Sequence, residues 1–185
     1  MSTLKIQRYL ILCLLLCRAL SLPSQPSTTP EYQLKAVFLY NFTQFVDWPN
    51  GTFASDGSPM VIGILGKDPF GSYLQETISG EKVNGHPLVI EHYNTVEEIK
   101  DCHILFINLP DAKKTEKAIT ELKGKNILTV GEAPDFLKQG GMIRFLNQKG
   151  KINLQVNLET TKEASLVISS KLLRLVDIYN PKQSN

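Results

Sequence analysis

Apolar and polar positions fall into three patterns along the chain. Between Leu34 and Trp48 the apolar residues recur at helical spacing, and Leu34, Val37, Phe38, Phe42, Phe45 and Trp48 share one face with Asn41 among them. Leu39 and Val46 widen that surface sideways, and Pro49 stops the helix. From Met60 to Gly66 the apolar run is unbroken, as in a strand covered on both faces. From Met142 to Asn147 and again from Lys151 to Asn157, apolar and polar residues alternate singly around Gln148-Lys149-Gly150, which predicts a β-hairpin.

Between these landmarks the chain changes pattern at short intervals. Asp68-Pro69 has the form of an N-cap followed by Pro at the first helical position, predicting a helix from Pro69 to about Ser79. Asn84-Gly85 turns the chain into a strand from Leu88 to Tyr93. A short helix near Val96–Lys100, a strand at Ile104–Ile107, a charged helix from Asp111 to Lys123 and a strand at Asn126–Val130 follow, then a helical piece at Pro134–Lys138. Strands alternating with helices predict an α/β protein whose mostly parallel sheet carries helices on both faces and finishes in an antiparallel C-terminal hairpin at its edge. The stretch from Glu159 to Asp177 reads as mostly helical with a break near Ser165–Ser170, and Leu172, Leu173, Leu175 and Val176 are expected to face inward.

The first 30 residues read differently. Lys5 and Arg8 precede an apolar run from Tyr9 to Leu16, too short to span a bilayer, and Ala19-Leu20-Ser21 offers the small residues a signal peptidase reads. We expect a signal peptide over residues 1–21 and a disordered tether over 22–30. One domain is then expected over 31–180. The localisation that follows is export, into the periplasm.

Export changes the charge and cysteine arguments. The whole chain carries 20 basic and 18 acidic side chains; without Lys5, Arg8 and Arg18 the balance becomes 17 to 18. No basic stripe remains to bind nucleic acid. Cys13 and Cys17 also leave, so Cys102 alone remains and no internal disulfide is expected. Its place at the start of an apolar strand fits a small buried side chain.

Candidate chemistry is sparse. Gly66-Lys67-Asp68-Pro69-Phe70-Gly71 joins a strand to a helix start, where backbone N–H groups can hold an anion. A P-loop would need glycine at Val61 and Ser or Thr at Asp68, and a carboxylate there repels phosphate. A structural turn is the simpler reading. His86, His92 and His103 lack metal-ligand spacing, and no nucleophile or acid pair sits in a catalytic pattern, so neither metal, cofactor nor enzyme activity is expected. Gln139-Gly140-Gly141-Met142-Ile143-Arg144-Phe145 lets the backbone turn sharply into the hairpin.

The order of the segments LKAVFLYNFTQFVDWP, GKDPFG, VNGHPL, DCHILFI, LTV, GGMIRF and SSKLLRL resembles the YfiR-like family of periplasmic regulatory proteins. The resemblance implies a three-layer α/β/α sandwich and a non-enzymatic role. It further implies a partner in the periplasmic domain of a membrane signalling protein. In the best-known member that partner is a diguanylate cyclase, so the protein controls cyclic di-GMP and biofilm formation, and an outer-membrane protein releases it. A homodimer is also open. That member's disulfide-linked redox control is not carried over, because Cys102 has no second cysteine in the mature chain.

On this reading Leu39, Tyr40 and Thr43 off the core face of the first helix, with Met142 and Arg144 in the hairpin, are the expected partner contacts. A rival reading is a small-molecule-binding protein. Its pocket would lie at the carboxyl ends of the parallel strands, where open α/β sheets bind ligands, with Gly66, Asp68, Phe70 and Asn108 around it.

Overall fold

The computed structural model describes residues 29–181. The expected signal peptide and all but the last two residues of the tether lie outside the described residues. Pro30, assigned to the tether, instead begins helix α1 (Pro30–Phe45), where its fixed φ suits the first helical position. A two-residue strand β1 (Val46–Asp47) continues it.

Strands β2 (Met60–Gly66), β4 (His86–Tyr93), β5 (Ile104–Asn108), β6 (Leu128–Gly131) and β7 (Ile143–Gln148) run parallel in the centre of an eight-stranded sheet. Strand β8 (Lys151–Val156) returns antiparallel beside β7, and β3 (Lys82–Val83) lies antiparallel to β4 at the far margin. With a last two-residue strand β10 (Asp177–Ile178) beside β8, the order is β10-β8-β7-β6-β5-β2-β4-β3. The β7–β8 hairpin is closed by Lys149 at φ 54° and Gly150 at φ 79°. Two successive positive φ values match the twist of the flanking strands.

Helix α1 and helix α2 (Ser72–Ile78) share one large core with Ile62, Ile64, Ile104, Phe106, Val130, Phe145 and Leu154. A second core on the other face joins helix α3 (Ala112–Leu122) to Leu65, Leu105, Ile107 and Phe136. Asp111 caps α3 by accepting the Lys114 N–H at 2.9 Å. The expected three-layer α/β/α sandwich with a mostly parallel sheet is present.

Several local expectations are corrected. Asp68 does not cap a helix at Pro69; its Oδ1 accepts the Phe70 N–H at 2.7 Å in a turn, and α2 begins only at Ser72. Pro134–Lys138 forms turns rather than a helix. The stretch after Glu159 is mostly not helical: α4 (Leu158–Glu163), β9 (Val167–Ile168), α5 (Ser170–Leu173) and β10 (Asp177–Ile178) follow one another. Strand β9 pairs with β1, and β10 pairs with β8, so the hairpin has one further short neighbour. Leu172 faces inward as expected, but Leu175 is 78% exposed.

The face of α1 is also rotated from the one expected. Lys35, Ala36, Leu39, Phe42 and Thr43 are buried, Phe38 and Phe45 are half-buried on its flank, and Leu34 is exposed. The small side chains of Ala36 and Thr43 let the helix approach closely. The aromatics then pack along one flank, with Phe38 6.0 Å from Phe145.

Candidate functional site

The carboxyl ends of β2 and β5 are where the strand order reverses and where ligands enter many α/β sheets. Gly66 and Asn108 do meet there, but tightly. Gly66 has φ +94°, and a Cβ on it would lie 2.4 Å from the Asn108 carbonyl oxygen. Lys67 N–H donates to that carbonyl at 3.1 Å, and Asn108 Nδ2 donates to the Lys67 carbonyl at 2.8 Å. Phe70 is fully buried, edge-on to Phe106 at 4.9 Å and to Tyr32 at 5.8 Å. Asp68 points away and pairs with His92 Nε2 at 2.9 Å. The four residues expected around a pocket are neighbours, but the crevice between them is filled by protein.

The first two turns of α1 complete this closure. Lys35, only 2% exposed, pairs with Glu31 on its own helix and with Glu132 Oε1 at 2.7 Å, just past β6. Its ammonium lies 4.5 Å from the Tyr32 ring centroid, and the Tyr32 hydroxyl donates to Glu132 Oε2 at 3.2 Å. Asn147 of β7 donates to Glu31 at 2.7 Å. Burial pushes the Tyr32 phenol up to about 12, with the Glu132 charge acting in the same direction. The hydrogen bond from Lys35 holds the Glu31 carboxyl below its ordinary value, against the opposing effect of burial. The α1 sequence offers Glu31 as an i,i+4 partner on an exposed face, but nothing in it marks Lys35 as buried, because Glu132 lies on a distant element.

The expected partner contacts separate into two groups. Leu39 is fully buried, Thr43 is 2% exposed with its hydroxyl bonded to the Tyr40 carbonyl at 2.6 Å, and Met142 is 4% exposed. These three belong to the core, a correction that follows from the rotation of α1 and from Met142 lying under α4. Tyr40 and Arg144 remain accessible. The Tyr40 hydroxyl donates to Glu81 at 2.9 Å on the surface. Arg144 is half-buried on the face of β7 away from α1, with Nε buried and no hydrogen-bond partner among the described residues. Burial lowers its pKa, with Asp135 opposing. Leu34, Val167, Leu175 and Ile178 are large exposed apolar side chains that periodicity had assigned inward or left unassigned.

Open space lies at the opposite end of the sheet. A cleft of about 610 Å³ lies between the last turn of α3, the Leu137–Met142 segment and α4. Its apolar wall includes Ile119, Leu122, Leu137 and Met142. Asn157, 7% exposed, holds one side by donating to the Leu137 carbonyl at 3.2 Å and capping α4. Lys123 and Glu163 pair at 3.4 Å on the rim. Among the described residues, no group of three or more His, Cys, Asp or Glu could hold a metal ion, and no helix is long and apolar enough to cross a membrane.

These features define an α/β sandwich whose usual ligand crevice is sealed by its own side chains and whose accessible features lie on its flanks and opposite end. A sequence profile described as YfiR/HmsC-like matches residues 32–177, and the chain belongs to that family. Its members are regulatory proteins of the periplasm that act on the periplasmic domain of a membrane signalling protein. No curated protein sequence matches the chain. One solved structure similar to it is the ABC domain in complex with L-Trp from Streptococcus pneumonia (TM-score 0.46, 11% identity, 65% of this chain and 55% of that one). Another is a conserved domain protein from Vibrio cholerae O1 biovar El Tor (TM-score 0.48, 12% identity, 80% of this chain and 60% of that one). This chain spans little more than half of either, and neither carries a functional argument.

Proposed function

We propose that this protein is exported and acts as a regulatory binding protein for the periplasmic domain of a membrane signalling protein of the diguanylate cyclase type. The family match over residues 32–177 carries the reading. Bound to one conformation of the receptor, the protein shifts the population toward it by its differential affinity, and its removal reverses the shift. The accessible contacts are Tyr40 and Arg144. The half-buried Arg144 guanidinium suits an acceptor, best a carboxylate, supplied by the partner. A homodimer and release by an outer-membrane protein belong to the same proposal.

Deleting the gene should raise cyclic di-GMP and surface attachment, and the full chain should capture a membrane cyclase from solubilised membranes. Unchanged cyclic di-GMP together with no captured signalling protein would reject this role. A second reading, binding of a small molecule, is favoured by the cleft, whose volume falls in the usual range for ligand sites. A thermal-shift screen of metabolites tests it, and stabilisation that is lost in Met142→Trp would support it.

A further inference from the structure

The loop from Pro49 to Pro59 joins β1 to β2 at the amino ends of the parallel strands. Its Phe53 ring is sandwiched between two imidazoles. His86 stacks at 3.7 Å with 14° between the planes, and His103 at 4.5 Å with 16°. His86 Nδ1 also bonds the carbonyl of Ser58 in the same loop at 2.7 Å. Trp48, at the start of the loop, meets His103 edge-on at 6.2 Å.

His103 is 5% exposed, and its Nδ1 accepts the Val61 backbone N–H at 3.1 Å. An acceptor nitrogen carries no proton, so the ring is neutral with its hydrogen on Nε2. That Nε2 is buried without a partner among the described residues, as is the Trp48 Nε1. An imidazolium at this position would have two N–H groups and an acceptor for neither. One would face the Val61 N–H donor directly.

We propose that His103 is an acid-operated latch: on gaining a proton it gives up Phe53 and frees the Pro49–Pro59 loop while the sheet stays folded. The titratable groups that act on it are His86, whose charge opposes a second positive ring, and Asp101, which favours one. Asp101, Asp47 of β1 and Asp56 of the loop are all exposed to solvent, and none bonds the buried Nε2, so the charge of Asp101 acts on the ring only from a distance. The sheet has its own support, since the His103 N–H still donates to the Val61 carbonyl at 3.0 Å and β2–β5 pairing continues from Ile62 and Ile104.

The direction with pH follows from linkage. Burial holds the ring down to about 4 from an ordinary 6.5, so the latched state takes up the proton less readily than the released one. The latched state therefore loses ground as pH falls from about 6.5 and has lost all it can below about 4. The ratio of released to latched loop rises over that range by on the order of a hundredfold.

Trp48 is the single tryptophan of the chain and packs on His103, so it reports directly. Trp48 emission of the full chain should change in one acid step between pH 6.5 and 4 while far-UV circular dichroism stays constant. His103→Gln, whose side-chain oxygen can still accept the Val61 N–H, should abolish the step. Phe53→Ala, which empties the latch, should give the acid-type emission already at pH 7. Flat emission down to pH 4, a step that survives in His103→Gln, or a step that coincides with loss of far-UV signal would each overturn the proposal.

Discussion

Lys35 Nζ lies 2.7 Å from Glu132 Oε1, joining the second turn of α1 to the carboxyl end of β6 across a sequence separation that no local pattern bridges. The lysine stem is buried with the core, so the pair sits at the margin of the apolar interior. Glu132→Ala leaves an under-compensated ammonium there, and urea unfolding should show a loss of roughly 3 kcal/mol. Lys35→Met combined with Glu132→Gln should recover much of that loss, because no charge is then buried without a partner.

Glu31, the other partner of Lys35, adds a pH dependence. Its folded pKa is depressed below 4.5, so the stability it contributes is present above that value and is lost as pH falls through the folded value. Unfolding measured from pH 7 to pH 3 should show a smaller acid loss in Glu31→Gln than in the parent.

Phe136 is fully buried between two glycines. A Cβ on Gly131 would lie 2.4 Å from its ring, and one on Gly141 would lie 2.3 Å away. Gly141→Ala should therefore destabilise by overpacking, by about 1–3 kcal/mol or more. Phe136→Ala opens a cavity and should cost roughly 3–5 kcal/mol. If Gly140 and Gly141 served only to turn the chain, Gly141→Ala would be tolerated better than this in chemical denaturation.

Cys102 is buried, its thiol donates to the Ile104 carbonyl at 3.2 Å, and burial pushes its pKa up to about 12. The thiolate is the reactive form, so the folded protein should label with a disulfide reagent at pH 8 far more slowly than the urea-unfolded chain. Melting temperature should not change between oxidising and reducing buffer.

Leu39 and Tyr40 are adjacent in sequence and should respond in opposite ways. Leu39→Ala removes a fully buried side chain and should cost about 2–5 kcal/mol of stability. Tyr40→Phe breaks one exposed hydrogen bond to Glu81 and should change stability by less than about 0.5 kcal/mol. A binding defect in folded Tyr40→Ala, with Leu39→Ala failing through instability, would place the partner on the exposed side of α1.

The sequence was readable wherever the determinants were local. The β7–β8 hairpin follows from single alternation and a two-residue turn, and α3 follows from its cap and amphipathic spacing. The unbroken apolar run at Met60–Gly66 marked a strand covered on both faces. The rotation of α1 was not readable, because it depends on Lys35 finding Glu132 and on the small Ala36 and Thr43 admitting the sheet. Spacing alone favoured the aromatic line through Leu34 and Phe38. The region after Glu159 misled for a related reason: Leu-rich segments are good helix formers, but pairing of Val167–Ile168 with β1 and of Asp177–Ile178 with β8 overrides propensity. Gly66, Asp68, Phe70 and Asn108 were placed near one another by the strand order, while the filling of the space between them by Phe70 and Tyr32 required the third dimension.

The two margins of the large sheet are β3 and β10, each only two residues long. Yet β3 covers only His86 and Pro87 of β4, and β10 covers only Gln155 and Val156 of β8. Among the described residues, no strand lies beside Val89–Tyr93 on one margin or Lys151–Leu154 on the other. Those two stretches of open edge, rather than the two short strands, are where an extended segment of another molecule can add to the sheet.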